Sequence, residues 1–268
     1  MISDGVHLKR FTLFTLVIVA FMVLTSGPVG DKYSQNIPNP SKNSSISDAT
    51  WNICVAGKAD AGFQLDYYPD SFNQNSIVNT KACDQAVLRD INARHRAEGV
   101  PPMTLPSNFE SLSPSMQVIY VVNAERVSRN LPPYVGVLNS LNADSLIAAK
   151  AGNDPNPSKH DGNWLVYNSI WAGGYQSALL ADYDWMYNDG WGGNSDNTIN
   201  VDCTSARAQG CWGHREGILA TYDPSGGTIL LAGAAVVTSG PSSLSVPSYA
   251  AAFEQVQTPI KVDKILGN

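Results

Sequence analysis

An α+β domain, with helices early and strands late, is the fold class that three observations predict. Apolar residues recur at helical spacing behind capping residues between positions 84 and 188. Two apolar runs of strand length follow, at 228–237 and 247–256. A Gly-Pro-Ser-Ser turn stands between those runs and predicts an antiparallel hairpin. Helices first and a sheet last point to a layered α+β domain rather than alternating βαβ units.

The first clear helix spans Asp84 to Glu98. Val87, Leu88 and Ile91 share a face, Asp84 is placed to cap, and Gly99 with Pro101-Pro102 ends it. His95 falls on that same face and reads first as a packed, hydrogen-bonded histidine. Ser113-Pro114 is an N-cap and N1 pair, so 116–129 continues as a helix despite the β-branched run from Val118 to Val122. Glu125 and Arg126 are sequence neighbours and therefore point to different faces. A third helix is expected from Leu138 to Lys150, stopping near Gly152. A turn-rich loop follows, from Asp154 through His160 to Gly162. Ser177 caps a fourth helix, Ala178 to Asn188, with Leu179, Leu180, Tyr183 and Tyr187 on its apolar face. Asp182 and Asp184 are expected on its solvated face, and Trp185 and Trp212 in packing roles. A short helix is expected from Gly213 to Thr221.

Ahead of the domain, His7, Lys9 and Arg10 precede an apolar run, Phe11 to Leu24, the layout of a secretory signal. That run is shorter than the ~20 residues a membrane span needs. A cleaved signal and a retained anchor both remain open, and either places the rest outside the cytoplasm. The expected order is therefore a signal peptide or N-terminal anchor at 1–27, a flexible linker at 28–50, a lead-in segment at 51–83 and the domain at 84–268. The linker is rich in Pro, Asn and Ser, without apolar periodicity.

Four cysteines suit two disulfides in an oxidising compartment. Giving Cys203 and Cys211 to each other leaves Cys54 for Cys83. Loop closure would contribute about 2.6 kcal/mol for the first bridge and about 3.6 kcal/mol at most for the second. The net charge of -6 carries no nucleic-acid footprint, and an anionic membrane surface would mildly repel it. Membrane contact is thus expected only through residues 11–30, if they are retained. No phosphate loop, dinucleotide fingerprint, HExxH helix or nucleophile elbow is present. Asp182, Asp184, Asp189 and Asp196 do not match EF-hand spacing.

The chemistry concentrates in Trp185-Met-Tyr-Asn-Asp-Gly190 and in Cys203 through Cys211-Trp-Gly-His-Arg215, read here as one wall of a polar cleft. A neutral imidazole ligates metal or accepts a proton, and a neighbouring carboxylate raises its pKa. His214 near a helix start meets the opposite bias from the dipole.

Five stretches in order resemble the CAP (SCP/TAPS) superfamily in its secreted bacterial version. They are Ile91-Asn92 with Arg96 to Met103, Asn123-Ala-Glu-Arg-Val127, Trp171-Ala-Gly-Gly174, Trp185 to Gly190, and Cys211 to Leu219, with a Gly233-containing strand completing the set. The resemblance covers about residues 84–257. It implies a three-layer α-β-α sandwich with an antiparallel central sheet. It also implies a central cleft in which two histidines and two acids bind a divalent metal such as zinc. His214 matches the second histidine and His160 is the candidate for the first. Asn188 stands where the family places an acid, with Asp189 beside it, and Trp171-Ala-Gly-Gly174 lacks the family's other acid.

Three functions follow as expectations. The first is an extracellular module whose degenerate cleft, at His160, Asn188, Asp189 and His214, binds a lipid, a cell-wall component or a protein. The second is a metal-assisted hydrolase with His160 and His214 as metal ligands or bases and Asp189 orienting. The third is a structural protein of the cell envelope.

Overall fold

In the computed structural model the described residues are 37–54, 81–157, 164–192, 200, 202–222, 227–238, 247–258 and 262–266. The predicted signal or anchor, most of the lead-in segment and the candidate ligand His160 lie outside them.

The helices form where caps and stop signals place them. Helix α1 is Asp48–Cys54 and α2 is Lys81–Glu98. Helix α3, Pro114–Ser128, begins at Ser113, whose side chain accepts from the Met116 N–H. Helix α4, Asn139–Ala151, ends at Gly152, which takes the left-handed conformation at φ 72° that glycine tolerates best. Helix α5, Ala178–Tyr187, is capped by the Ser177 hydroxyl, which accepts from Leu180 N–H. Helix α6, Gly213–Ile218, has only six residues. Asp84, expected to cap, lies instead within α2 and is buried, because the helix already runs at Lys81.

Among the described residues, five strands form one sheet in the order β2-β4-β3-β1-β5. They are β1 Gly136–Val137, β2 Trp164–Gly173, β3 Thr228–Val237, β4 Ser248–Gln257 and β5 Lys264–Ile265. The predicted hairpin is present: β3 and β4 pair antiparallel, with Gly233 opposite Ala252. The sheet as a whole is mixed, which corrects the antiparallel expectation, because β1 runs parallel to β3. Strand β1 is two extended residues leading straight into α4, too short to leave a periodic signal. Strand β2 pairs antiparallel with β4 along its length and carries the Trp171-Ala172-Gly173 motif.

Alternation along β3 and β4 sorts the core. Ala232, Ala234, Ala251 and Phe253 join the large cluster with residues of α2, α3 and α5. Leu231, Ala252 and Val256 pack with Leu138 and Leu141, and Ala250 with Ala148 and Ala149, so this side of the hairpin is covered by α4. Gly233 makes that approach close: a Cβ there would overlap the Leu141–Asn142 backbone. Asn142 Oδ1 accepts from Ala234 N–H at 3.0 Å, and the Ser145 hydroxyl donates to the Gly233 carbonyl at 3.3 Å.

Residues 37–50, assigned by composition to the flexible linker, are held on the domain. Ser44 N–H donates to the Tyr187 carbonyl at 2.8 Å, and Asn43 Oδ1 accepts from Gly190 N–H at 2.6 Å. Ser47 N–H donates to Asp90 at 2.8 Å, and Ile46 is buried. Specific backbone and side-chain hydrogen bonds, rather than an apolar period, dock this strap. The Cys54–Cys83 disulfide then joins it to α2, and Cys203–Cys211 is the second bridge. Among the described residues no helix is long and apolar enough to cross a membrane.

Two outcomes test this packing. Gly233→Val should lower stability by about 2–3 kcal/mol through overpacking against α4, read as a reduced urea midpoint. An unchanged midpoint would mean that α4 does not sit this close. Burial, opposed by the Ser177 hydrogen bond and aided by Glu110, raises the Asp84 carboxyl from 3.8 to about 6. The neutral form therefore contributes stability that is full below 3.8 and is lost as pH rises through about 6. Asp84→Asn should flatten the stability profile across that window, by at most about 3 kcal/mol.

Candidate functional site

The site rests on charges buried where α2, α3, α5 and α6 meet. Glu98, at the end of α2, accepts from Arg129 at 2.7 Å and from Arg215 at 3.0 Å, both at Oε2. Glu125 on α3, fully buried, pairs with Arg129 one turn later, with His95 Nε2 at 3.0 Å, and with the Tyr187 hydroxyl at 3.0 Å. His95 Nδ1 meets the Pro101 carbonyl at 2.6 Å, so the packed, hydrogen-bonded reading of this histidine is the observed one. Burial works to raise the Glu125 pKa, but Arg129 and His95 outweigh it and hold the carboxyl at about 2.

Asp182 is also buried in this region, which corrects its assignment to a solvated face. Nine of the ten residues of α5 are buried, so the helix has no wet side; Asp184 alone is intermediate. Burial first, and then the neighbouring Glu125, push Asp182 well above the carboxylate range. A second carboxyl buried beside Glu125 is disfavoured in its charged form, because like charges at close range oppose each other's ionisation.

Arginines fix α6 against this base. Arg215 is buried, donates to the Met186 carbonyl at 2.8 Å and reaches Glu98. Arg126 lies over the Tyr134 and Tyr222 rings at 4.6 and 5.0 Å. It donates to the carbonyls of Ile218 and Ala220, where α6 ends. A cation at those free carbonyls satisfies them and suits the helix polarity.

His214 is the neighbour of Arg215 and faces the other way, toward the surface. Asp189 receives its backbone N–H at Oδ2, 2.9 Å, and its Nδ1 at Oδ1, 2.7 Å. Asn200 Nδ2 donates to the same Oδ1 at 2.7 Å, and to the carbonyls of Asp189 and Gly210. Trp212, at φ 65°, sets up this turn: its N–H donates to the Asp189 carbonyl and its ring covers Gly190, where a Cβ would overlap the indole. The packing roles expected of Trp185 and Trp212 are the observed ones, since both are buried. On the outer side, His214 Nε2 lies 3.3 Å from Asp154 Oδ1. The side chains of Asp189, His214 and Asp154 are 2, 19 and 47% exposed, a ladder from core to solvent.

Burial alone would lower the imidazole pKa, but the bonds to Asp154 and Asp189 outweigh it and raise His214 well above 6.5. The bias expected from the helix start is overcome by two carboxylates. Burial pushes Asp189 up in turn, against the pull of His214. Both ring nitrogens meet a carboxylate, and the raised pKa favours the form that donates from each of them.

The sequence candidates divide accordingly. Asp189 and His214 are brought together. Asn188 is buried at the end of α5, with Oδ1 lacking a hydrogen-bond partner, and forms no bond to His214. Sequence reasoning misses Asp154 and Asn200: both sit in turn-rich loops, and only their long-range contacts distinguish them. Among the described residues there is no group of three or more His, Cys, Asp or Glu side chains able to hold a metal ion, and the candidate ligand His160 lies outside them. Both His214 nitrogens face carboxylates. A separate groove of about 450 Å³ runs between the strap at Ile37–Pro40 and the Glu98–Arg129 pair. Comparison with protein-family models, with curated proteins and with solved structures returns no match.

Removing the Asp189 carboxylate takes the acceptor from both the His214 ring Nδ1 and the His214 backbone N–H. Asp189→Ala should therefore cost about 2–4 kcal/mol in urea unfolding. The stability conferred by His214 is full below 6.5 and fades as pH rises through its elevated folded value. The gap in urea midpoint between wild type and His214→Gln should shrink in alkali; a constant gap would contradict the paired geometry.

Proposed function

We propose that the chain is an extracellular CAP-like domain that binds a ligand or partner at the Asp189–His214–Asp154 surface without turning it over. The observation that carries this is the double engagement of His214, which makes the ring a fixed donor. The arrangement of the core supports the layered part of the proposal. Strand alternation sends one set of residues to the α2, α3 and α5 side and the other to α4, as a three-layer α-β-α sandwich requires. The two disulfides support an oxidising, extracellular setting. The ordered motifs around Asn123–Val127, Trp171–Gly174 and Cys211–Leu219 support the family.

The metal-assisted hydrolase would need ligands beyond His214, and the described residues supply no such group. Sedimentation of the purified protein with peptidoglycan and with phospholipid vesicles, paired with zinc determination, separates the two readings. Binding to one of these surfaces that weakens about tenfold in His214→Ala is expected, the loss of one charge-assisted contact. Stoichiometric zinc lost in His214→Ala, together with hydrolysis, would overturn the proposal, as would retention by neither surface.

A further inference from the structure

The two carboxylates on His214 are not equivalent. Asp189 is 2% exposed, bonds both the ring and the backbone of His214, and is held again by Asn200. It is the buried, multiply bonded partner. Asp154 is 47% exposed and meets Nε2 at 3.3 Å, longer than the 2.7 Å of the inner bond. It stands two residues beyond Gly152, outside α4, so its loop is not held by a helix ladder. Asp189 thus orients the ring, and Nε2 is the one ring donor that another molecule could reach. That donor already carries a carboxylate, supplied by the chain itself.

We infer that Asp154 is a built-in stand-in for the ligand, and that the site takes a carboxylate-bearing molecule whose carboxylate replaces Asp154 on His214 Nε2. This rests on the binding reading above and names its ligand class. The replacement is an exchange of one charge-assisted hydrogen bond for another, with no net change in charge at the ring. The cost of displacing Asp154 is that of competing with a tethered group, whose effective concentration is on the order of millimolar. Free monocarboxylates should therefore bind the wild type weakly. A ligand with further contacts around His214 would exceed that threshold.

The test is acetate titration at neutral pH, followed through the NMR signals of the His214 imidazole, in wild type, Asp154→Ala and Asp154→Asn. Sodium chloride at equal ionic strength is the control. Asp154 is half exposed, so both variants should keep the fold, which circular dichroism checks. Saturable acetate binding is expected in Asp154→Ala, at least about tenfold tighter than in wild type, with Asp154→Asn in between. Acetate that leaves the His214 signals of Asp154→Ala unmoved would overturn the inference. Equal shifts with chloride, meaning an adventitious ion only, would do the same, as would equal affinity in wild type and Asp154→Ala. Acetate filling Asp154→Ala while wild type is retained by neither peptidoglycan nor vesicles would sink the surface-binding proposal but leave this one standing. Retention on either surface without acetate binding would sink this inference and leave the surface-binding proposal intact.

Discussion

The salt bridge of Arg215 with Glu98 is the constraint on which the rest depends. A six-residue helix has too few internal hydrogen bonds to persist alone, because its nucleation is unfavourable. Helix α6 exists because Arg215 drives its side chain into the core and finds a carboxylate and a backbone carbonyl there. Taking such charges out of water costs several kcal/mol per ion unless geometry and hydrogen bonds offset it. Here Arg129 shares Glu98 and also meets Glu125, and the Met186 carbonyl and Tyr187 hydroxyl of α5 bond Arg215 and Glu125, so four helices are coupled through one network. Adjacent residues on a helix diverge, so anchoring Arg215 inward turns His214 outward. The buried pair thereby aims the exposed one.

The sheet contributes the level surface on which this is built. Small residues dominate the middle of β3 and β4, so helices approach closely on either side of the hairpin. Gly233 shows the limit, since the α4 backbone occupies the space of its absent side chain. Trp212 over Gly190 repeats the device near the site, where a missing Cβ lets an indole close the turn that holds Asp189.

Much of the fold is legible in the sequence because its signals are local. Ser113 and Ser177 bond backbone groups three residues away, and Gly152 ends α4 through its own φ. The disulfides follow from counting, and the hairpin from two apolar runs and a turn. What escapes is long-range or lacks a period. Strand β1 is two residues long, and its parallel pairing depends on β3, far along the chain. Asp182 reads as solvated because charge normally marks a wet face, and α5 has none. Arg215 meets Glu98 across 117 positions, a distance over which no motif speaks. The strap carries the composition of a tether, and its docking depends on polar bonds that composition does not encode. At the site, Asp189 and His214 are legible because both lie in motif-bearing stretches. Asp154 is not, because a turn-forming Asp-Pro pair hides a residue that reaches 60 positions along the chain to His214.

The Cys54–Cys83 bridge gives the strap a second covalent route to the domain, parallel to the backbone. A single proteolytic cut between those two cysteines would therefore divide the chain without dividing the molecule. The fragment bearing Asn43 and Ser44 would stay in place, still bonded to α5 and the turn after it. Only cleavage and reduction together would set it free, so a nicked form of this protein would migrate as one species until a thiol is added.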